Sequence, residues 1–548
     1  MKKKIYKLLV LSIGMFSFLG CDDFLDPTPT DKFSDKIVWQ SEKNTNLYLN
    51  GFYSYINLFG NFGSGHFGGL LTDGMTNQLK YACTTAGGGN ANIYGYEPSR
   101  ITPDQNSLGV WANTYDRIRR VNEFLEGLHA YASFSEDVKT QFEAQARFFR
   151  AYLYHQLMIR HKSIILLDHT TQEVNNPRSS ESEGWDFIEK DLDYAITYLP
   201  VSRPASESGR LTKGAALAFK SRVMLFAKRW DKAKSAANEC IDMTDQGGTL
   251  MYELAANYKD AFKSYYKGNK EAILECNYAE PFPSHNFDKK YVPGGDYPTL
   301  AAEATPTQEM VEAYELATGG KADWSKWHGT TTETPPYDLL EPRFHASVLY
   351  NQCDWKGRKI EAYLGGTDGW MKYGSDYKSN GNTTTGYFLR KYLDESNRAV
   401  DKNVSTQSWI EIRLAEVYLN LAEAAAMSND NTTANQAIRK VRARVGLPYT
   451  DNSGEQLLTA IRNERNVELA FEGHRYWDLR RWERATVELN NVRFHGLKIT
   501  KTGDVFTYEY VEADNQDRIF LPRVQKSFPI PSNELANNLA VTQLDEWR

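Results

Sequence analysis

Between Ile461 and Trp482 the chain crowds ionisable side chains of both signs: Glu464, Glu468, Glu472 and Asp478 alternate with Arg465, Arg475, Arg480 and Arg481. Two carboxylates held about 5 to 10 Å apart across a cleft would suit glycoside hydrolysis, and the chain is rich enough in acids to supply such a pair. No nucleophile or metal-ligand cluster stands beside these residues, and no motif singles out two of them. Opposite charges interleaved at helical spacing instead form a partly buried ion-pair network that locks packing. Gly87-Gly88-Gly89 lacks the Gly-Lys-Ser/Thr continuation and the preceding strand of a phosphate cradle. Asp288, Asp296 and Asp368 allow calcium without arguing for it, so no metal or other cofactor is expected.

Chemistry of another kind is open to Cys21. Lys2, Lys3, Lys4 and Lys7 precede a mostly apolar run from Leu8 to Leu19, too short to span a bilayer and shaped like a secretory signal. Phe18-Leu19-Gly20-Cys21 puts a small residue before the cysteine and resembles the lipobox of bacterial lipoproteins, although Phe18 replaces the usual aliphatic residue. With residues 1–20 removed as signal peptide, the sulfur and amine of Cys21 can be acylated, and several acyl chains on one residue make a durable anchor. No later stretch approaches the roughly 18 consecutive apolar residues of a membrane span. The formal charge is -6, and without the four leader lysines it becomes about -10, which argues against nucleic acid as a partner because phosphate binding needs a basic face. Cys83, Cys240, Cys276 and Cys353 are too scattered for a metal site and read as buried free thiols, with one disulfide possible outside the cytoplasm.

The elements that must position these residues are helices in pairs. Phe142, Ala146, Phe149, Leu153 and Leu157 recur at helical spacing as a core-facing stripe. Residues 213–228 and 232–243 form a second pair, and 409–427 with 433–445 a third, closed by Gly446 and Pro448. Ala215, Ala216, Ala233, Ala237, Ala415 and Ala422 let helices approach closely. Helix, short turn and helix with alanines at the contacts resembles the tetratricopeptide repeat, in which each pair buries its face against the next. Two stretches break the pattern: residues 63–103 are rich in Gly, Asn, Tyr and Thr, and 277–401 in Gly, Pro, Tyr and Trp. Such segments are usually functional loops carried by a rigid frame.

The stretch Glu464-Arg-Asn-Val-Glu-Leu-Ala-Phe-Glu-Gly-His-Arg-Tyr-Trp-Asp-Leu-Arg-Arg-Trp482 resembles a signature of the SusD/RagB family of outer-membrane lipoproteins. So do Cys21 to Asp26 at the mature start, Trp111 to Asn122, Ala146 to Tyr152, Ile412 to Tyr418, and Pro529-Ile530-Pro531 with Glu534. Together they run the length of the mature chain in the family's order. The resemblance implies a mainly α fold: a tetratricopeptide-like helical-pair scaffold packed against a loop-rich half with short strands. It implies one domain over 21–548, with helical regions at about 37–60, 106–270 and 405–485 and ligand-binding excursions at about 61–105 and 277–401. It also implies a nonenzymatic receptor, lipid-anchored at the cell surface in the outer membrane, that passes glycan to a SusC-like TonB-dependent transporter. The alternative ligand is peptide, as in RagB-like members.

Sugar rings stack their C–H faces on aromatic rings, while polar side chains take the hydroxyls. In the family the binding aromatics tend to come from the loop before the Trp111 helix and from the central excursion. Here the first loop, 78–105, has no tryptophan and offers Tyr94 and Tyr96. The central excursion offers Tyr291 and Tyr297, Trp370, and above all Trp324 and Trp327, three apart in a polar, glycine-rich context. Asp73, Asn77, Asn92 and Arg100 are the polar candidates. Trp111, Trp409, Trp477 and Trp482 lie in helical motifs and are assigned to structure.

Overall fold

The computed structural model describes residues 35–58, 69–84, 86, 93–264, 268–374, 381–402 and 404–548. Cys21 and the leader lie outside them. Among the described residues, eight helices of twelve residues or more form the frame: α1 (Trp111–Tyr131), α2 (Glu136–His161), α3 (Glu181–Tyr198), α4 (Lys213–Phe226), α5 (Trp230–Ile241), α6 (Leu414–Met427), α7 (Asn431–Arg444) and α8 (Gly454–Glu468). Their ends are written locally. Glu136 and Asp137 open α2 and Arg160 and His161 close it, each sign opposing the helix dipole. Ser180 and Glu183 build a reciprocal capping box on α3, and Thr212 and Asp430 cap α4 and α7.

Each helix packs on its neighbours in sequence, and α5 packs directly on α6 although residues 242–413 lie between them. The six alanines singled out above are at most 1% exposed, so the contacts they line are closed by backbone approach. No helix among the described residues is long and apolar enough to cross a membrane. One boundary differs from the sequence reading. Trp409–Arg413 is a strand rather than the start of a helix, because Trp-Ile-Glu-Ile-Arg, rich in β-branched and aromatic side chains, pairs with residues 272–276.

The other half is made of short strands and turns. They are β1 (Leu79–Tyr81), β2 (Ala272–Cys276), β3 (Ala304–Pro306), β4 (Thr330–Thr331), β5 (Val348–Tyr350), β6 (Asp354–Trp355), β7 (Arg358–Lys359), β8 (Tyr387–Leu389), β9 (Trp409–Arg413), β10 (His495–Thr502) and β11 (Val505–Glu512). All ladders are antiparallel: β1 with β3, β2 with β9, β5 with β8, β6 with β7, and β10–β11–β4. The first ladder joins the two excursions, and the β2–β9 ladder closes the base of the second. The helical and loop-rich halves hold separate apolar clusters. At the seam a polar cavity of about 80 Å³ is lined by His155, Arg222, Glu411 and His474. Neither ring nitrogen of His155 has a partner among the described residues, and burial pushes its pKa well below the ordinary histidine value.

The charged block is buried and structural in geometry, with partners other than those its own spacing suggests. Glu468 accepts from Arg413 at 2.6 Å and Arg343 at 3.0 Å and pairs with Arg444; these three guanidiniums hold its carboxyl far below the usual range against the cost of burial. Glu464 pairs with Arg343 and Arg442, and Glu472 with Arg413 and Lys391. Within the block only Asp478 pairs locally, with Arg465 and Arg481. Arg480 donates to the carbonyls of Val524 and Ile159 instead. The block therefore pins α8 to distant strands and turns.

Candidate functional site

The two excursions meet where β1 passes under the segment 369–374. Thr84 N–H points at the Gly374 carbonyl at 3.5 Å, and the rings of Tyr96 and Tyr373 lie 6.3 Å apart. Beneath them Lys80 of β1 is fully buried. Its ammonium sits 3.5 Å from the centre of the Tyr373 ring and 3.6 Å from Asp514, and burial pulls its pKa down to about 7. Asp514 also accepts from the Tyr96 hydroxyl at 2.5 Å, from Arg518 at 2.9 Å and from the Phe494 N–H at 2.9 Å. A buried carboxylate with this many donors is rigid. It fixes the floor on which the aromatic rings stand.

Trp370 lies three residues before Tyr373 on the same segment. Gly369 takes a left-handed turn at φ +53°, and Met371 N–H and Thr383 N–H close a short bridge across the loop, which sets the indole in place. The side chain is half-buried, with Lys498 5.9 Å from its ring and Lys498 itself paired to Glu509 at 2.6 Å. Its indole N–H is buried and has no acceptor among the described residues.

The other sequence candidates fall in different places. Trp324 is only 5% exposed, packed 5.8 Å from Trp327 and 6.4 Å from Tyr337, and so belongs to the core of the loop-rich half. Trp327 is half-buried, and its N–H donates to the Glu333 carbonyl at 2.9 Å. Tyr291 is fully buried, accepting from Leu71 N–H, and Tyr96 is nearly so; both hold loops together with their hydroxyls. Tyr297 is half-buried beneath Lys289. Asp73 is fully buried against Gly473 N–H, and burial raises its pKa to about 7. Asn77 is held by Arg475 at 3.1 Å, and Arg100 is exposed and paired with Glu97. The Tyr94 side chain and Asn92 lie outside the described residues.

The three aspartates considered for calcium are engaged otherwise. Arg358 lies between Asp296 and Asp368, and Asp288 accepts from Asn397, Ser405 and Gln407. No group of three or more metal-ligating side chains gathers among the described residues. The four cysteines are free thiols.

Sequence reading missed Lys80, Asp514 and Arg518 because Lys80 meets Asp514 across more than 400 residues, and the four-residue spacing of Asp514 and Arg518 alone does not reveal a buried cluster. It also missed a stack on the hairpin: Tyr510 lies 4.7 Å from the His328 ring and 4.5 Å from the His495 ring, and the histidines pair with Glu312 and Glu309. Only the adjacency of His328 to Trp327 hinted at it.

Similarity to known proteins agrees with this architecture. The profile described as the SusD family matches residues 270–547, and one described as "Starch-binding associating with outer membrane" matches residues 72–225. A SusD-like protein of Bacteroides ovatus is 24% identical over 87% of this chain and 82% of its own. The crystal structure of a SusD-like protein from Bacteroides fragilis superposes with a TM-score of 0.79 at 28% identity, covering 93% of this chain and 98% of that one. A second structure from that species, titled a SusD-like carbohydrate binding protein, gives 0.76 at 24% identity over 92% and 99% of the two chains.

Proposed function

This chain belongs to the SusD family, and from that premise we propose that it is a nonenzymatic receptor, lipid-anchored through Cys21 to the outer membrane and exposed at the cell surface. In this reading it captures oligosaccharide or polysaccharide and hands it to a SusC-like TonB-dependent transporter. The observation that carries the glycan reading is Trp370: a half-buried aromatic ring on a loop turned at Gly369. In this reading a sugar ring stacks on the accessible part of the indole. The description of the family profile over residues 72–225 supports it as well. Trp327 and Tyr297, both half-buried, are the further aromatic candidates of this reading.

Titration of the mature protein against a panel of polysaccharides tests the reading. Trp370→Ala should weaken binding of the recognised glycan about tenfold, the order of one stacking contact, with an unchanged circular dichroism spectrum. Unaltered affinity in that variant would sink the site. Peptide is the second reading, favoured by the absence of tryptophan from the 78–105 loop; binding of peptides and of no glycan in the same panel decides for it. Cys21→Ala should release a folded, ligand-competent protein that no longer supports uptake. Uptake that survives in the soluble variant would refute the anchored-lid mechanism.

A further inference from the structure

Away from the loop junction, two adjoining cavities of about 330 and 440 Å³ border the 202–212 loop and share Ser208, Gly209, Arg210 and Glu275. Volumes of this order are those of small-molecule sites. The loop owes its shape to its own residues. Gly209 turns at φ +87°, and Arg203 donates from Nε to the Leu211 carbonyl and from Nη1 to Glu207, each at 3.1 Å. The smaller cavity has a largely apolar lining: Met251 and Ile273, both half-buried, together with Tyr252 and Leu274, which are buried.

Against this lining stands Arg210. Its guanidinium donates to the side-chain oxygens of Asn46 and Asn50, each at 2.6 Å, and of Gln145 at 3.2 Å. Neutral amides of the helix Glu42–Asn50 and of α2 thus hold it, 5.7 Å from the centre of the Tyr53 ring. These bonds use three of the five N–H groups of a guanidinium. Burial raises the pKa of Tyr53, and the Leu211 N–H and the charges of Arg210 and Arg203 oppose the rise, so both cations act on one hydroxyl. Two carboxylates border the cavities, and each is engaged elsewhere. Glu207 accepts from Arg203, and Glu275 accepts from Ser264 at 2.9 Å and Asn277 at 3.1 Å. Among the described residues no carboxylate pairs with Arg210, which therefore keeps its full charge in a fixed orientation.

We propose that the paired cavities bind a small amphipathic acid, an aromatic or short aliphatic carboxylate whose apolar body enters beside Met251 and Ile273 while its carboxylate accepts from Arg210. A cation already oriented by neutral acceptors loses little freedom when the anion arrives, and its bond to a carboxylate is of the stronger, charge-assisted kind. The apolar walls add affinity for the body of the ligand and give no reason for a small inorganic anion to be preferred. The site is separate from the loop junction and stands without the glycan reading.

Isothermal titration of the full mature protein with 2-naphthoate tests this, with 2-naphthamide, which keeps the rings and lacks the charge, as control. A saturable one-site heat is expected for the acid, with the amide about tenfold weaker. Arg210→Gln should weaken the acid by about the same factor and leave the amide unchanged. Ser208→Trp, which places an indole in both cavities from an exposed loop position, should abolish binding while helicity stays intact, and it decides the matter where loss of the Arg210 contacts disturbs folding. Trp370→Ala should have no effect. No saturable heat, equal binding of acid and amide, or acid binding that survives Ser208→Trp overturns the proposal; so does acid binding lost in Trp370→Ala, because the ligand would then sit at the loop junction.

Discussion

The helical and loop-rich halves of this molecule each bury an apolar core, but their elements are fixed in place by different means. In the frame, small residues let helices touch along their length, and apolar burial by side chains such as Phe149, Leu153 and Leu157 supplies the stability. In the other half the strands are two to eight residues long, too short to hold themselves. Their place is taken by buried charge: Arg343, Arg413 and Arg444 converge on Glu468 from three separate regions of sequence. Apolar burial is non-directional and tolerates drift, whereas an ion pair fixes geometry, and a face that reads ligands needs fixed geometry more than it needs surplus stability. The difference teaches that the frame is graded and the loop-rich half is nearly all-or-none.

The sharpest way to break that contrast is Glu468→Ala, which strands three buried guanidiniums. A loss of about 3–5 kcal/mol is expected, the cost of breaking a buried pair by removing one partner, read as a lower urea midpoint. A loss under about 1 kcal/mol would place the network among surface pairs and dissolve the comparison. In the frame, Ala237→Leu inserts bulk at a closed contact and should cost about 2–3 kcal/mol, the upper part of the range for overpacking; repacking without loss would mean the alanines are not close-packed.

Acidification separates the halves by sign. His155 and His161 in the frame are held neutral by burial, His161 down to about 3. Their contribution is present above the unfolded value of about 6.5 and is lost as pH falls toward the folded values. Asp73 in the loop-rich half is raised from 3.8 to about 7, so its contribution is present below 3.8 and is lost as pH rises through 7. Between pH 7 and 5, His155→Leu should therefore remove up to about 2 kcal/mol of acid destabilisation, and Asp73→Asn should remove an acid stabilisation. Thermal unfolding at both pH values checks this, and equal pH slopes in the two variants would refute it. The smallest effect is local: Ser180→Ala deletes the cap of α3 and should cost about 1 kcal/mol, visible as faster amide exchange in its first turn.

The frame was legible because periodicity and alanine spacing are local signals. The loop-rich half was not. Trp324, Tyr291 and Tyr96 look like exposed ligand contacts in a polar, glycine-rich sequence, yet the loops fold over them, since large rings repay burial. Trp409–Arg413 was absorbed into the helix that follows because five residues of alternation are easily hidden beside a strong helical pattern. Conversely, the charged block was readable as structural although its partners were not: Arg343, Arg413 and Arg444 lie on other elements, which only the fold brings together. Trp370 was visible as a candidate, but the backbone bridge to Thr383 that holds its loop was not.

The β2–β9 ladder has one more consequence. It fastens the entry and exit of the 277–408 stretch side by side, with the exit strand running straight into α6 at Leu414. Lengthening a closed loop costs only about 0.6 kcal/mol per doubling. Insertions at exposed turns of the stretch are thus thermodynamically cheap, whereas Arg343 and Lys391 within it must stay, because they carry the buried pairs to Glu464, Glu468 and Glu472.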